Sequence, residues 1–141
     1  MKINNRKVSI VSYSTEANWI GPIPNENWLC ILVDNDKHRR YVEDVNAKIL
    51  DHNVSYVCAV GDQCERNHDL LDEEILIREV EKRYLPSFHI MTTWHDDFEE
   101  GIWFAFNTAF HENVDIRNVL IIDMTEGKDT ERIIRYLERI R

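Results

Sequence analysis

Glycine is scarce in this sequence, and the phosphate-binding loops that depend on glycine are missing. The 141 residues include four glycines, none within a G-x-G-x-x-G or G-x-x-x-x-G-K-[ST] pattern. Those patterns allow backbone N–H groups to approach phosphates. The segment Asp34–Asp36, which follows the first apolar run, is acidic and opposes a bound pyrophosphate. We therefore expect no cofactor of the dinucleotide or triphosphate type.

Cysteines and long apolar runs are also few. The odd count of three cysteines leaves at least one thiol without an intramolecular partner, and Cys30 and Cys58 lie inside apolar runs. No run of about 18 apolar residues is present to span a bilayer, and the first residues lack the apolar segment of a secretory signal. These features predict a cytoplasmic protein with reduced core cysteines and no membrane association.

Signatures of nucleophilic and zinc chemistry are weak. The sequence has no G-x-S-x-G motif. Cys64 and His68 are four residues apart on a predicted helix, where both could reach a metal, and a helix start favours the thiolate of Cys64. Because no second Cys/His pair has ligand spacing, we interpret them as a partly buried cysteine beside a surface histidine.

Four short runs rich in Val, Ile and Leu alternate with segments of helical periodicity. Nearly continuous apolar character is typical of parallel strands that helices cover on both faces. The predicted strands are Trp28–Asp34, Val54–Val60, Ser87–Thr92 and Asn118–Asp123. The predicted helices are Lys37–His52, Cys64–Tyr84 with a break near Asp72, Asp97–His111 and Asp129–Arg141.

This alternation predicts a single α/β domain over residues 1–141 with a Rossmann-like three-layer sandwich. Residues 27–141 supply four β–α units and a mostly parallel four-stranded sheet, most simply in strand order 3-2-1-4. Residues 1–26 form an N-terminal arm, in which Lys7–Tyr13 predicts an extra strand at the sheet edge.

Negative charge is concentrated in one stretch of the chain. Residues 61–100 hold twelve carboxylates against four basic side chains, a net charge of -8 out of -9 for the whole chain. Such a field repels nucleic acid and anionic membranes and accelerates encounter with a basic protein. The first acidic patch that we expect to contact a partner is Asp62, Glu65, Asp69, Asp72, Glu73 and Glu74. The second acidic patch is Asp96, Asp97, Glu99 and Trp103.

Aromatic residues are interleaved with acids in the segment 94–107. Asp96, with Glu99 three residues later, predicts a helix cap. The helical stripe Phe98, Ile102, Phe106 and Phe110 predicts core packing. Trp94, Trp103 and Phe104 are the aromatic residues that could instead emerge at an interface, within a charged rim.

An alternative hypothesis assigns an enzyme. Asp34, Asp36 and Asp123 follow or end predicted strands, so their carboxylates could converge at one rim of the sheet and hold Mg²⁺, with His95 as a general base. The protein would then be a metal-dependent hydrolase or phosphotransfer enzyme. Asp is also common in such loops as a helix cap, so the simpler interpretation is that these acids are solvated or capping and that no metal binds.

The 94–107 pattern of Trp-His, an acidic run, Trp-Phe and Asn resembles small acidic bacterial domains of uncharacterised function. By size, acidity and absence of a cofactor signature, the whole chain resembles the cytoplasmic immunity proteins of bacterial contact-dependent growth inhibition and other toxin–immunity or toxin–antitoxin systems. That resemblance implies a non-enzymatic protein that binds and neutralises a cognate basic toxin domain, such as a nuclease. A homo-oligomer built on the sheet edge or on the aromatic helix is the remaining alternative.

Overall fold

The chain forms six strands and four helices, and the computed structural model describes all of residues 1–141. The strands are β1 (Lys2–Ile3), β2 (Arg6–Ser12), β3 (Trp28–Val33), β4 (Tyr56–Val60), β5 (Met91–His95) and β6 (Asn118–Asp123). The helices are α1 (Arg39–Asp51), α2 (Cys64–Glu81), α3 (Phe98–Asn107) and α4 (Thr130–Ile140).

All six strands belong to one mixed sheet in the order β1-β2-β6-β3-β4-β5. The four strands of the predicted β–α units are mutually parallel and follow the expected order 3-2-1-4. The sheet has two more strands. β2 is the extra strand predicted over Lys7–Tyr13 and adds in parallel to β6, but it is not the edge, because the unpredicted β1 pairs antiparallel with it. A two-residue strand such as β1 has no hydrophobic period that a sequence could reveal.

Apolar side chains fill both faces of the sheet, which produces three layers. Every side chain of β3 is buried, because its even-numbered residues face α1 and α2 while its odd-numbered residues face α3 and α4. Burying each large aliphatic side chain contributes about 1.5–3 kcal/mol. The α1 and α2 layer is anchored by Val42, Val45, Ile49, Leu50, Leu70 and Leu71. The α3 and α4 layer is anchored by Phe98, Ile102, Ala105, Phe106, Ile133, Tyr136 and Leu137.

Strand β5 is displaced from its predicted position. The sequence predicted Ser87–Thr92, whereas the strand is Met91–His95 and only His95 within it is buried. β5 lies at the sheet edge, so its side chains are partly solvated and the apolar pattern of a central strand does not apply. The apolar Phe88 and Ile90, which suggested a strand, pack into the core from the preceding loop.

Helix α2 is continuous, so the predicted break near Asp72 is wrong. The buried guanidinium of Arg78 holds this helix against α1. It donates to the carboxylates of Asp51 and Glu74 and to the carbonyl oxygens of Ala47 and Tyr84. The helix ends where Lys82 adopts a left-handed backbone conformation.

Helix α3 differs from expectation at both ends. Its N-cap is Asp97, not Asp96: the Asp97 carboxylate accepts from the backbone N–H groups of Glu99 and Glu100. The helix ends at Asn107, so Phe110 lies beyond it and is 69% exposed, and its place in the predicted apolar stripe is wrong. None of the four helices combines the length and apolar character needed to cross a membrane.

Candidate functional site

The turn between β4 and α2 depends on Gly61. Its φ is +116°, and an added Cβ would lie 2.2 Å from the carbonyl oxygen of Asp34, so a side chain there would collide with backbone. The tight turn places the backbone N–H of Asp62 3.2 Å from the side-chain oxygen of Asn35. The first turn of α2 is thereby fixed at the carboxyl end of the sheet.

A cleft of about 720 Å³ lies between the first turns of α2 and the end of β5. Positions 65, 69 and 73 recur every four residues, which places them along one side of α2, and Asp62 lies in the turn just before the helix. Asp96, from the loop after β5, completes the rim. We call this site the acidic cleft and define it by Asp62, Glu65, Asp69, Glu73, Trp94 and Asp96.

The carboxylates of the acidic cleft are largely unneutralised. Asp62, Glu65, Glu73 and Asp96 form no salt bridge, while Asp69 is 3.1 Å from the imidazole Nδ1 of His68. All five acids are exposed. The cleft therefore presents several negative charges at its mouth, and a cationic group of another molecule would be attracted there.

Arg66 is the basic side chain that lines the cleft, but its guanidinium group is paired with Asp34 and not with the acids of the cleft. One guanidinium nitrogen lies 3.1 Å from the buried carboxylate of Asp34 and 2.9 Å from the carbonyl oxygen of Lys37. Asn67 donates to the same Asp34 oxygen. Arg66 therefore joins α2 to the loop after β3, with its charge shared with Asp34.

Trp94 supplies the aromatic surface of the cleft. Its side chain is 50% exposed, on the outermost strand of the sheet. The imidazole of His68 packs against it, with ring centroids 4.6 Å apart, and also contacts the hydroxyl of Thr92 at 2.9 Å. The indole is thus held in place on one side while its other side remains accessible.

The first acidic patch is only partly assembled in the cleft. Asp62, Glu65, Asp69 and Glu73 are brought together, but Asp72 and Glu74 are not among the residues that line the cleft. Asp72 accepts from the hydroxyl of Thr92, and Glu74 is paired with Arg78 and Arg83.

The second acidic patch is divided between two places. Asp96 joins the acidic cleft, whereas Asp97 caps α3 and Glu99 lies 3.2 Å from Arg139. Trp103, on α3, is 47% exposed, so it does emerge at the surface. Helix α3 packs on the opposite face of the sheet from α2, so Trp103 belongs to a different surface from Trp94.

The three carboxylates of the alternative metal site have separate partners. Asp34 accepts from Arg66 and Asn67, and Asp123 accepts from the backbone N–H and hydroxyl of Thr125. Asp36 is exposed, 3.7 Å from Lys128. The structure contains no group of three His, Cys, Asp or Glu side chains arranged to hold a metal ion. The buried carboxylate oxygens of Asp34 and Asp123 therefore accept hydrogen bonds from donors within the protein.

His95 is buried within a short chain of hydrogen bonds. Its Nδ1 lies 2.8 Å from Glu100 and its Nε2 lies 2.9 Å from the hydroxyl of Thr93. Phe104 packs on the imidazole with ring centroids 4.7 Å apart. Neither His95 nor Thr93 is among the residues that line the acidic cleft, and both ring nitrogens of His95 have partners within the protein.

The pKa of the Cys64 thiol shifts in the direction opposite to the one that the sequence predicts. Cys64 does begin α2, but it is buried, and burial raises the pKa of its thiol despite hydrogen bonds from the helix start that oppose the shift. The predicted gain in thiolate character is therefore wrong. Desolvation of the charged form outweighs the backbone hydrogen bonds that favour the thiolate here.

Residues 8–140 match the model of one protein family, whose description is "Domain of unknown function (DUF7684)". The chain belongs to this family. The matched region begins within β2 and extends into α4, so it contains the whole acidic cleft. No curated protein and no solved structure shows significant similarity to the chain.

Sequence reasoning missed the roles of Trp94 and Arg66 at this site. Trp94 was one of three aromatics that could emerge, and nothing in the sequence distinguished it, because its exposure depends on β5 being an edge strand. The spacing of positions 65, 66 and 69 along α2 was the available signal that Arg66 shares one side of the helix with Glu65 and Asp69.

Proposed function

We propose that this protein is an acidic binding module that recognises a basic protein through the acidic cleft. The observation that carries the proposal is the convergence of five exposed carboxylates and the half-exposed indole of Trp94 on one concave surface. Charge of one sign around a cleft steers an oppositely charged partner, and an aromatic side chain supplies contact area once the partner is bound.

The partner that best suits this surface is a basic toxin domain, such as a nuclease. A nuclease binds a polyanion and therefore has a basic active-site surface, which an acidic protein can cover. In this proposal the protein is an immunity protein that works in the cytoplasm and performs no chemistry of its own. The acidic composition, with a net charge of -9, and the small size support this assignment.

The test is capture of a partner by tagged protein from its native host, repeated at low and high salt. The cleft variant combines Asp62→Asn, Glu65→Gln, Asp69→Asn and Glu73→Gln. The matched control variant combines Glu26→Gln, Glu112→Gln, Glu131→Gln and Glu138→Gln, which neutralises four exposed acids outside the cleft. Both variants change the net charge equally, so a difference between them reports the location of the charge.

We expect the wild type and the control variant to retain one stoichiometric basic protein, and the cleft variant to lose it. With the purified partner, association with the cleft variant should be at least about tenfold slower at low salt, with a weaker salt dependence. Co-expression should show that the wild type relieves the partner's toxicity and that the cleft variant does not. Equal binding by the two variants would exclude the acidic cleft, and a bound partner without toxicity would exclude the immunity role.

A further inference from the structure

The outer edge of β5 is open. The backbone N–H of Met91 donates to Ser55, and the carbonyl of His95 accepts from Gly61, so odd-numbered residues of β5 direct their backbone groups toward β4. Backbone direction alternates along a strand of a parallel ladder. The N–H and C=O groups of Thr92 and Trp94 therefore point away from the sheet, with no neighbouring strand.

The protein does not shield this edge as it shields the other. At the opposite side, the hairpin strand β1 closes against β2, and β1 is only two residues long. β5 is five residues long, contains no lysine or proline, and pairs with β4 one-to-one without a bulge. Charged or proline residues, bulges and short strands are the usual means of blocking an edge.

Two clefts flank the same edge on the α2 side. The acidic cleft includes Trp94 near the carboxyl end of β5. A second cleft of about 470 Å³, with more apolar lining, includes Leu76, Leu85, Met91 and Thr92 at the amino end. Side chains on one face of an added strand would be about 7 Å apart, so one could enter the apolar cleft and others the acidic cleft.

We infer that the partner is bound by strand addition: an extended basic segment of the partner protein pairs with the outer edge of β5 and places its cationic side chains in the acidic cleft. This inference rests on the proposed function and adds to it the conformation of the bound segment. Backbone hydrogen bonds give affinity in this mode and side-chain pockets give specificity. A second copy of this chain is disfavoured, because its own β5 contains no lysine or arginine that could enter the acidic cleft.

The test uses a defined probe, an eight-residue peptide of alternating lysine and valine with blocked ends. Its control is the same sequence methylated on every backbone nitrogen, which keeps the charge but removes the N–H donors. Binding is measured by NMR, together with the exchange rates of the Thr92, Thr93 and Trp94 amide protons. The wild type and the cleft variant described above are compared.

We expect the unmethylated peptide to bind the wild type and to slow amide exchange of Thr92 and Trp94 at least about tenfold, with Thr93 little changed because it already pairs with β4. The methylated peptide and the cleft variant should each bind at least about tenfold more weakly. If both peptides bind equally and the cleft variant loses both, strand addition is wrong while the acidic cleft remains the binding site. The inference is also overturned if the unmethylated peptide does not bind the wild type, or if it binds the wild type and the cleft variant equally. The proposed function is decided separately, by the capture of the partner protein.

Discussion

The imidazole of His68 and the indole of Trp94 pack together with ring centroids 4.6 Å apart, which joins the second turn of α2 to the edge strand β5. This contact sets the position of the aromatic surface beside the acids of α2. Residues 26 positions apart in sequence thus form one binding surface, because α2 returns alongside the strand that follows it.

The cap of α3 can be tested with two adjacent aspartates. Asp97→Ala should lower the free energy of unfolding by about 1 kcal/mol, because the N–H groups of Glu99 and Glu100 lose their acceptor. Asp96→Ala, which removes an exposed carboxylate without a capping bond, should change it by less than about 0.5 kcal/mol. Urea unfolding measures both, and a larger cost for Asp96→Ala would contradict the assigned cap.

The packing of α3 on the sheet depends on Gly101. A Cβ there would lie 2.8 Å from both the Cβ of His95 and a methyl of Val60, so Gly101→Ala should destabilise the protein by about 1–3 kcal/mol despite the better helix propensity of alanine. Gly21→Ala is the control, since its new methyl meets only the side chain of Asn18, at 3.1 Å. Thermal and urea unfolding should separate the two variants, and similar stabilities would argue against the close contact.

The buried carboxylate of Asp34 should contribute to the stability of the fold, because it accepts hydrogen bonds from Arg66 and Asn67. Asp34→Ala removes the buried carboxylate that accepts from Arg66 and Asn67 and should lower the free energy of unfolding by about 3 kcal/mol. Asp36→Ala, at an exposed position, should cost less than about 0.5 kcal/mol.

Added Mg²⁺ should leave the thermal midpoint of the wild type unchanged, because we expect no Mg²⁺ site in the folded protein. A cation that bound only the folded state would raise the midpoint. A Mg²⁺-dependent rise that both variants lose would instead support the metal hypothesis.

Stability at alkaline pH should depend on Tyr13. Burial, together with the hydrogen bond to Asp44, raises the pKa of Tyr13 to about 12, whereas an unfolded tyrosine titrates near about 10. The unfolded state therefore loses its proton first, and the contribution of Tyr13, complete below about pH 10, is lost as the pH rises toward about 12. Tyr13→Phe should reduce the fall in unfolding free energy over this range, and the surface variant Tyr84→Phe should preserve it. An equal fall in wild type and Tyr13→Phe would contradict the assignment.

Much of the fold followed from the sequence because central strands and amphipathic helices have strong patterns. The predicted strand Asn118–Asp123 matches β6, and Trp28–Asp34 differs from β3 by one residue. Prediction failed at the sheet edges, where burial on two faces no longer holds. The displacement of β5 by several residues has this cause, whereas β1 was omitted because two residues carry no hydrophobic period.

The site was less predictable than the fold. The sequence indicated which segment is acidic, and four of the six residues of the first acidic patch do line the cleft. It did not separate acids with protein partners, such as Glu74 and Asp34, from unpaired acids such as Glu65, because those partners come from other elements or from another turn of the same helix.

By itself the sequence determined the α/β class, the order of the four strands of the β–α units and the excess of negative charge in residues 61–100. The class and the charge depend on local hydrophobic period and on composition, which are readable one segment at a time. The strand order is the simplest one for four consecutive β–α units with right-handed crossovers. Only the tertiary structure decided that Asp96 and Trp94 join the acids of α2, that Asp34 and Asp123 are satisfied internally, and that β5 has a free edge. Each of these depends on which elements become neighbours, and that is set by the packing of distant segments against one another.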